Sequence, residues 1–144
     1  MSERPEGFKF DLWELVDPQS FTDYGEGCWA FFPEESLYML HGIRTYFNVP
    51  ITINTWHSGG AFHQRGYRGP SSSVGAPLSY HKRGMAFDFD VKGMTAEEVR
   101  TEIKMHQDDP LLKLIQRMEN KVTWCHADNG TLKEGQQRIY LFNP

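Results

Sequence analysis

Ser79-Tyr80-His81-Lys82-Arg83-Gly84-Met85-Ala86-Phe87-Asp88-Phe89-Asp90-Val91 is the stretch that decides the fold. From Met85 it alternates, with Met85, Phe87, Phe89 and Val91 on one side of an extended chain and Ala86, Asp88 and Asp90 on the other. Successive side chains of a strand point to opposite faces, so 85–91 is predicted to be a half-buried strand. His81 stands where the preceding loop runs into that strand, and Asp88 lies on its polar face. Phe87 and Phe89 are assigned to the core.

Upstream, residues 57–80 hold Gly59, Gly60, Gly66, Gly69, Gly75, Pro70, Pro77 and the run Ser71-Ser72-Ser73. This reads as one long loop, and loops of that length are usually functional or disordered. Before it, Ile51-Thr52-Ile53-Asn54-Thr55-Trp56 is alternating and β-branched, which predicts a strand over 51–56. Leu37, Leu40, Ile43 and Phe47 recur at helical spacing and predict an amphipathic helix over 33–47. Pro33 suits its first position, Glu34 and Glu35 complement the dipole, and Asn48 and Pro50 stop it. Residues 1–32 read as irregular, with turn signals at Asp17-Pro18 and Gly25–Gly27.

Downstream, Thr95 and Glu98 form a capping-box pattern that opens a helix to about His106. Asp109 and Pro110 open a second, carrying Leu111, Leu114, Ile115 and Met118. Residues 121–127 and 137–142 read as two further strands, with Asn129-Gly130 in the connection. Helices and strands mix without βαβ regularity. The expected fold is α+β, a small, mainly antiparallel sheet flanked by helices in a single domain over 1–144.

Composition narrows the partners. The chain has 144 residues, enough to bury a core without disulfide staples, and a net charge of −4. No basic field is available for a phosphate backbone, so nucleic acid is not an expected partner. Cys28 and Cys125 form no CxxC pair; one disulfide is possible, a disulfide framework is not. No apolar run approaches the roughly 20 residues needed to span a bilayer. The charged start, MSERPEGFKFDLWEL, lacks the apolar segment of a signal peptide, so synthesis in the cytosol is expected. Aromatics make up 14% of the chain. They read either as core and loop packing or as the lining of a groove for sugar or peptide.

The chemistry concentrates in two pieces. His81 and Asp88 belong to the first, and Val122-Thr123-Trp124-Cys125-His126-Ala127-Asp128 is the second. There Trp124, His126 and Asp128 share a face if the chain is extended. A histidine beside a strand is, by itself, an ordinary hydrogen-bonded residue. Two imidazoles and a carboxylate together make a three-ligand zinc site with a fourth position open for water. Such a metal acidifies its water toward a pKa of about 7 and polarises a carbonyl, which is peptide-hydrolysis chemistry.

The pattern SxHxxGxAxD at 79–88 closely resembles the signature of the zinc D-Ala-D-Ala carboxypeptidases and L-Ala-D-Glu endopeptidases, phage endolysins among them. Trp124-Cys125-His126-Ala127-Asp128 resembles that family's closing WxHxD element. The resemblance covers roughly half the chain. It implies His81, Asp88 and His126 as zinc ligands, a peptidoglycan stem peptide as substrate, and the fold shared with the Hedgehog signalling domain. Arg65-Gly66-Tyr67-Arg68-Gly69 stands where the family often carries SGYRS. Arg68 then corresponds to an arginine that binds a substrate carboxylate or stabilises the oxyanion; its alternative is a solvated loop residue. Arg65 and Arg83 have no matching role and read as surface charges or loop anchors.

One departure concerns the general base. The family often places Glu or Asp three residues before the last histidine ligand, where this chain has Thr123; some relatives use a histidine five residues before it, where this chain has Lys121. Asp128 and Glu119 are the nearest carboxylates in sequence, with Asp128 the first candidate. His57 and His63 are candidates from the long loop. Asp128 could equally orient a ligand histidine. His41 and His106 read as ordinary helix residues. The expected protein is a monomeric, phage-type, single-domain zinc peptidase, released to the cell wall or carried in the virion. The alternative is a non-catalytic, metal-stabilised binding or virion structural module.

Overall fold

The computed structural model describes residues 3–76 and 79–144, so Pro77 and Leu78 of the long loop lie outside the described residues. Three α-helices and a five-stranded sheet build the fold: α1 Pro18–Tyr24, α2 Glu34–Phe47, β1 Ile51–Thr52, β2 Ala86–Val91, α3 Ala96–Met105, β3 Arg117–Glu119, β4 Cys125–Asp128 and β5 Tyr140–Phe142. The strand order is β1-β2-β4-β3-β5, antiparallel throughout except for the parallel pair β3–β5. This is the expected α+β class with a mainly antiparallel sheet.

The two faces of the sheet have different tasks. Phe87, Ala127 and Met118 align across β2, β4 and β3, and all are buried, as are Phe89 and Cys125 in the next row. Helices α2 and α3 pack over that side. They bring Leu37, Leu40, Ile43, Val99 and Ile103, all fully buried. Each such side chain contributes on the order of 1.5–3 kcal/mol by leaving water. The opposite face carries Asp88, His126, Asp128 and Arg117. Because loop and 3₁₀ segments cover it, β2 is buried on both sides rather than half-buried.

Helix α3 begins as expected: Thr95 Oγ1 accepts from Glu98 N and Glu98 Oε1 from Thr95 N. In α2, Pro33 takes the N-cap, one position before the expected one. Asn48 ends the helix in the left-handed conformation at φ 54°. The first 32 residues are more ordered than expected. Asp17 is the N-cap of α1, its carboxylate accepting from Ser20 N at 2.9 Å, and Pro18 occupies the first turn.

Three further expectations are corrected. No helix forms over 109–118. Leu112 N and Ile115 N bond the carbonyls three residues back, and Arg138 takes the Leu112 and Ile115 carbonyls that a helix would use. Met118 instead enters β3, a strand too short and polar for its sequence to announce. The strand expected over 121–127 begins only at Cys125, because Lys121 at φ 60° turns the chain and residues 121–124 are bends. The strand expected over 51–56 pairs only through Ile51 and Thr52. Asn54 then leaves the sheet: its side chain donates to the Val16 carbonyl and accepts from Arg65 N. Cys28 and Cys125 are both free and buried, so the possible disulfide is not formed. Among the described residues no helix is long and apolar enough to cross a membrane.

Candidate metal centre

His81, Asp88 and His126 come together and offer one ligand atom each, all within 4.8 Å of one another. Asp88 stands directly opposite His126 in the β2–β4 register, so the sheet itself pairs two of them. His81 arrives from the 3₁₀ turn Tyr80–Arg83 at the foot of β2. All three are buried, at 3%, 8% and 7% exposure for His81, Asp88 and His126.

Hydrogen bonds at the far sides of the imidazoles decide what each presents. His81 Nδ1 lies 3.0 Å from the Gly66 carbonyl, which can only accept, so Nδ1 carries the hydrogen. Burial lowers the His81 pKa and leaves the ring neutral, with the Nε2 lone pair facing Asp88 Oδ1 at 3.2 Å. His126 Nε2 lies 2.7 Å from Asp128 Oδ2, so Nε2 carries a hydrogen there, and Nδ1 faces Asp88 Oδ1 at 2.9 Å. His81 Nε2, Asp88 Oδ1 and His126 Nδ1 therefore converge.

Two acceptors at such separations repel unless a cation lies between them. In the metal-free chain a proton fills that role at His126. Burial alone would lower its pKa, but the hydrogen bonds to Asp128 and Asp88 outweigh burial and push it up to about 9. For Asp88, burial raises the pKa, yet the hydrogen bond from His126 holds it well below the usual carboxylate range. A tetrahedral zinc with ligand bonds of about 2.0–2.1 Å sets its ligand atoms roughly 3.3 Å apart, close to the 3.2 and 2.9 Å that separate His81 Nε2 and His126 Nδ1 from Asp88 Oδ1. The donor set and its neighbours thus fit a zinc-sized cation.

No family model, curated protein or solved structure matches the chain. The site is therefore read from its own residues.

The loop before His81 braces His81 and Asp88. Gly66 holds His81 through its carbonyl, Arg65 accepts from Asp88 N at 2.7 Å, and Arg68 N donates to the His81 carbonyl at 3.1 Å. The Arg68 side chain donates from Nε to the Gln64 carbonyl at 2.7 Å and from Nη2 to Asp88 Oδ2 at 3.3 Å. Only 8% exposed, Arg68 is no solvated loop residue. Arg65 is a loop anchor, paired with Asp90 at 2.9 Å and lying over the Phe62 ring. Arg83 is exposed, its guanidinium 5.6 Å from the Tyr80 ring centre.

The proposed bases fall in different places. Asp128 is fully buried and engaged on both oxygens. Oδ1 accepts from Arg117 Nε and Gly130 N, each at 3.0 Å. Oδ2 accepts from Arg117 Nη2 at 3.0 Å and from His126 Nε2. Glu119 is on β3. The β3–β4 register pairs Arg117 with Asp128 and Met118 with Ala127, and Glu119, two residues after Arg117, shares its face of the strand. Cross-strand partners share a face. Glu119 is also close enough for its charge to act on the Arg68 guanidinium. His57 stacks on Trp13 at 4.6 Å, and His63 is exposed. Thr123 and Trp124 are exposed, before β4 begins. Trp124 does not join the shared face of His126 and Asp128; its carbonyl accepts from Arg100 Nη1.

Sequence reading alone missed Arg117. It occupies a strand that no periodicity announced, and its role depends on a partner 11 residues away.

Proposed function

We propose that this chain is a zinc-dependent peptidase acting on the stem peptides of bacterial peptidoglycan, with His81, Asp88 and His126 as metal ligands. The observation that carries the reading is the convergence of three lone pairs, each aimed by a hydrogen bond on the far side of its group. Its support for the substrate class is the resemblance of 79–88 and 124–128 to the peptidoglycan peptidases and their Hedgehog-like fold. A bound zinc supplies an acidified water and a polarised carbonyl.

The chain's own groups then divide the remaining work. Arg68 Nη1 takes part in neither the Gln64 nor the Asp88 contact, and we assign it to a substrate carboxylate or the developing oxyanion. With both Asp128 oxygens engaged, that residue is left as an orienting group. Glu119 is the carboxylate assigned to take a proton from the attacking water and deliver it to the leaving amide nitrogen. This reverses the order of candidates that sequence proximity favours.

The test is incubation of the zinc-loaded protein with purified peptidoglycan and mass analysis of the fragments, with zinc content measured alongside. Glu119→Gln is expected to lose at least about tenfold in turnover, a barrier increase above about 1.4 kcal/mol, with zinc retained. Asp128→Asn is expected to lose activity in proportion to zinc. An Asp128→Asn protein that keeps its zinc but not its turnover would return the base to Asp128. The exposed Thr123 at the family's usual acidic position favours a second reading, a non-catalytic metal-stabilised module. Tight zinc binding with no fragment released would establish it.

A further inference from the structure

The geometry points to Arg117 as a positioning residue that sets the orientation of His126 through Asp128. This rests on the metal reading of the site and adds a residue to it.

Arg117 meets Asp128 edge to edge. Its Nε donates to Oδ1 and its Nη2 to Oδ2, each at 3.0 Å. Such a paired fork fixes the carboxylate plane as well as its position. The guanidinium is itself held between two rings, with its carbon 4.9 Å from the Tyr80 ring centre and 4.4 Å from that of Phe142. Phe142 also meets the His126 ring edge-on at 5.3 Å. Gly130 completes the bracket by donating its N–H to Asp128 Oδ1. A Cβ at Gly130 would sit 2.3 Å from the Tyr80 ring, so only glycine lets that ring close over the guanidinium.

The consequence is geometric. With Oδ1 occupied by Arg117 and Gly130, Oδ2 is the oxygen turned to His126 Nε2, at 2.7 Å. That bond places the hydrogen on Nε2 and turns Nδ1 toward Asp88. Without the fork, Gly130 N–H would hold Asp128 at a single oxygen, and the carboxylate plane that fixes which nitrogen His126 presents would be free to turn. Supporting groups of this kind are worth about 10–100-fold in metal affinity.

The experiment is a cobalt(II) titration of the metal-free protein, read by the visible absorption of the bound ion and by affinity. Arg117→Gln is expected to weaken cobalt binding at least about tenfold and to change the absorption bands, because the ligand geometry relaxes. Arg117→Lys keeps the charge but not the planar fork, so it should also shift the spectrum. Arg83→Gln removes a second cation beside Tyr80, one with no ion pair among the described residues, and should match the wild type. Restoration of the wild-type spectrum in Arg117→Ala by added methylguanidinium would support the assignment even if Arg117→Gln fails to fold. Wild-type affinity and bands in Arg117→Gln or Arg117→Lys overturn it, as does an equal loss in Arg83→Gln. A wild-type chain that binds no cobalt overturns the metal reading and this inference together; one that binds tightly with Arg117 variants unchanged overturns this inference alone.

Discussion

His81 and His126 reach the same point from opposite kinds of support. His81 is held by main chain: the Gly66 carbonyl at its Nδ1, and the Arg68 N–H at its own carbonyl. His126 is held by side chains, Asp128 at its Nε2 and Arg117 behind Asp128. A main-chain brace depends on where a loop runs, and that loop is pinned in turn by the first residues of the chain. Tyr67 N donates to the Leu15 carbonyl at 2.7 Å, and Gly69 N to Asp17 at 3.0 Å. A side-chain brace depends on residue identity at two positions of the sheet. The first kind is disturbed by backbone substitutions far from the site, the second by substitutions within the network.

The largest effect is expected where the two supports meet. Asp88 contacts both histidines, so Asp88→Ala removes the proposed carboxylate ligand and leaves two imidazoles with no anion between them. It should abolish stoichiometric zinc binding, measured by elemental analysis after dialysis. Retention of one zinc per chain in that variant would mean that the three groups are not the ligand set.

A contrast between the two braces comes next. A Cβ at Gly66 would lie 2.2 Å from the Leu15 carbonyl oxygen, so Gly66→Ala must push the loop off the N-terminal segment. Overpacking of this kind costs about 1–3 kcal/mol. Melting temperature and zinc affinity should therefore fall together. Asp128→Asn changes no volume and should lower zinc affinity more than its steric effect on the fold would suggest. Calorimetric melts and zinc titrations of both variants decide it. Equal patterns in the two would erase the distinction between main-chain and side-chain support.

The smallest effect separates the two rings by pH in the metal-free chain. His126 has its pKa raised to about 9 by Asp128 and Asp88 against the opposing effect of burial. Its contribution to stability is present in full below the unfolded value of about 6.5 and is lost as pH rises through about 9. His81 has its pKa lowered by burial, so its contribution is present above the unfolded value and is lost as pH falls. Imidazole titrations followed by NMR should show His126 titrating far above His81. The melting temperature of the metal-free protein should drop by several degrees between pH 7 and pH 10. Two rings titrating together near 6.5 would break the comparison.

What could be read in advance follows the range of the physical forces. Thr95 and Glu98 cap α3 because their partners lie three residues away, and the alternation of 86–91 records which side chains face the helices. His81 and Asp88 were legible for the same reason, being seven residues apart within one motif. Arg117 was not, and Glu119 was named only for its nearness in sequence, because Arg-Met-Glu has no strand signature and β3 exists only through pairing with β4 and β5. The helix expected over 109–118 failed for a related reason. Arg138, 23 and 26 residues away, takes the carbonyls on which that helix would depend.

By itself, then, the sequence determined the α+β class, helices α2 and α3, strand β2 and the three candidate ligands, since each rests on local periodicity, capping or a compact motif. The tertiary structure alone decided that Asp88 stands opposite His126 and that Arg117 clamps Asp128. It also decided that β3 brings Glu119 near enough for its charge to act on Arg68. These depend on strand register, and register is set by which faces bury apolar surface across the whole sheet, not by any residue's near neighbours.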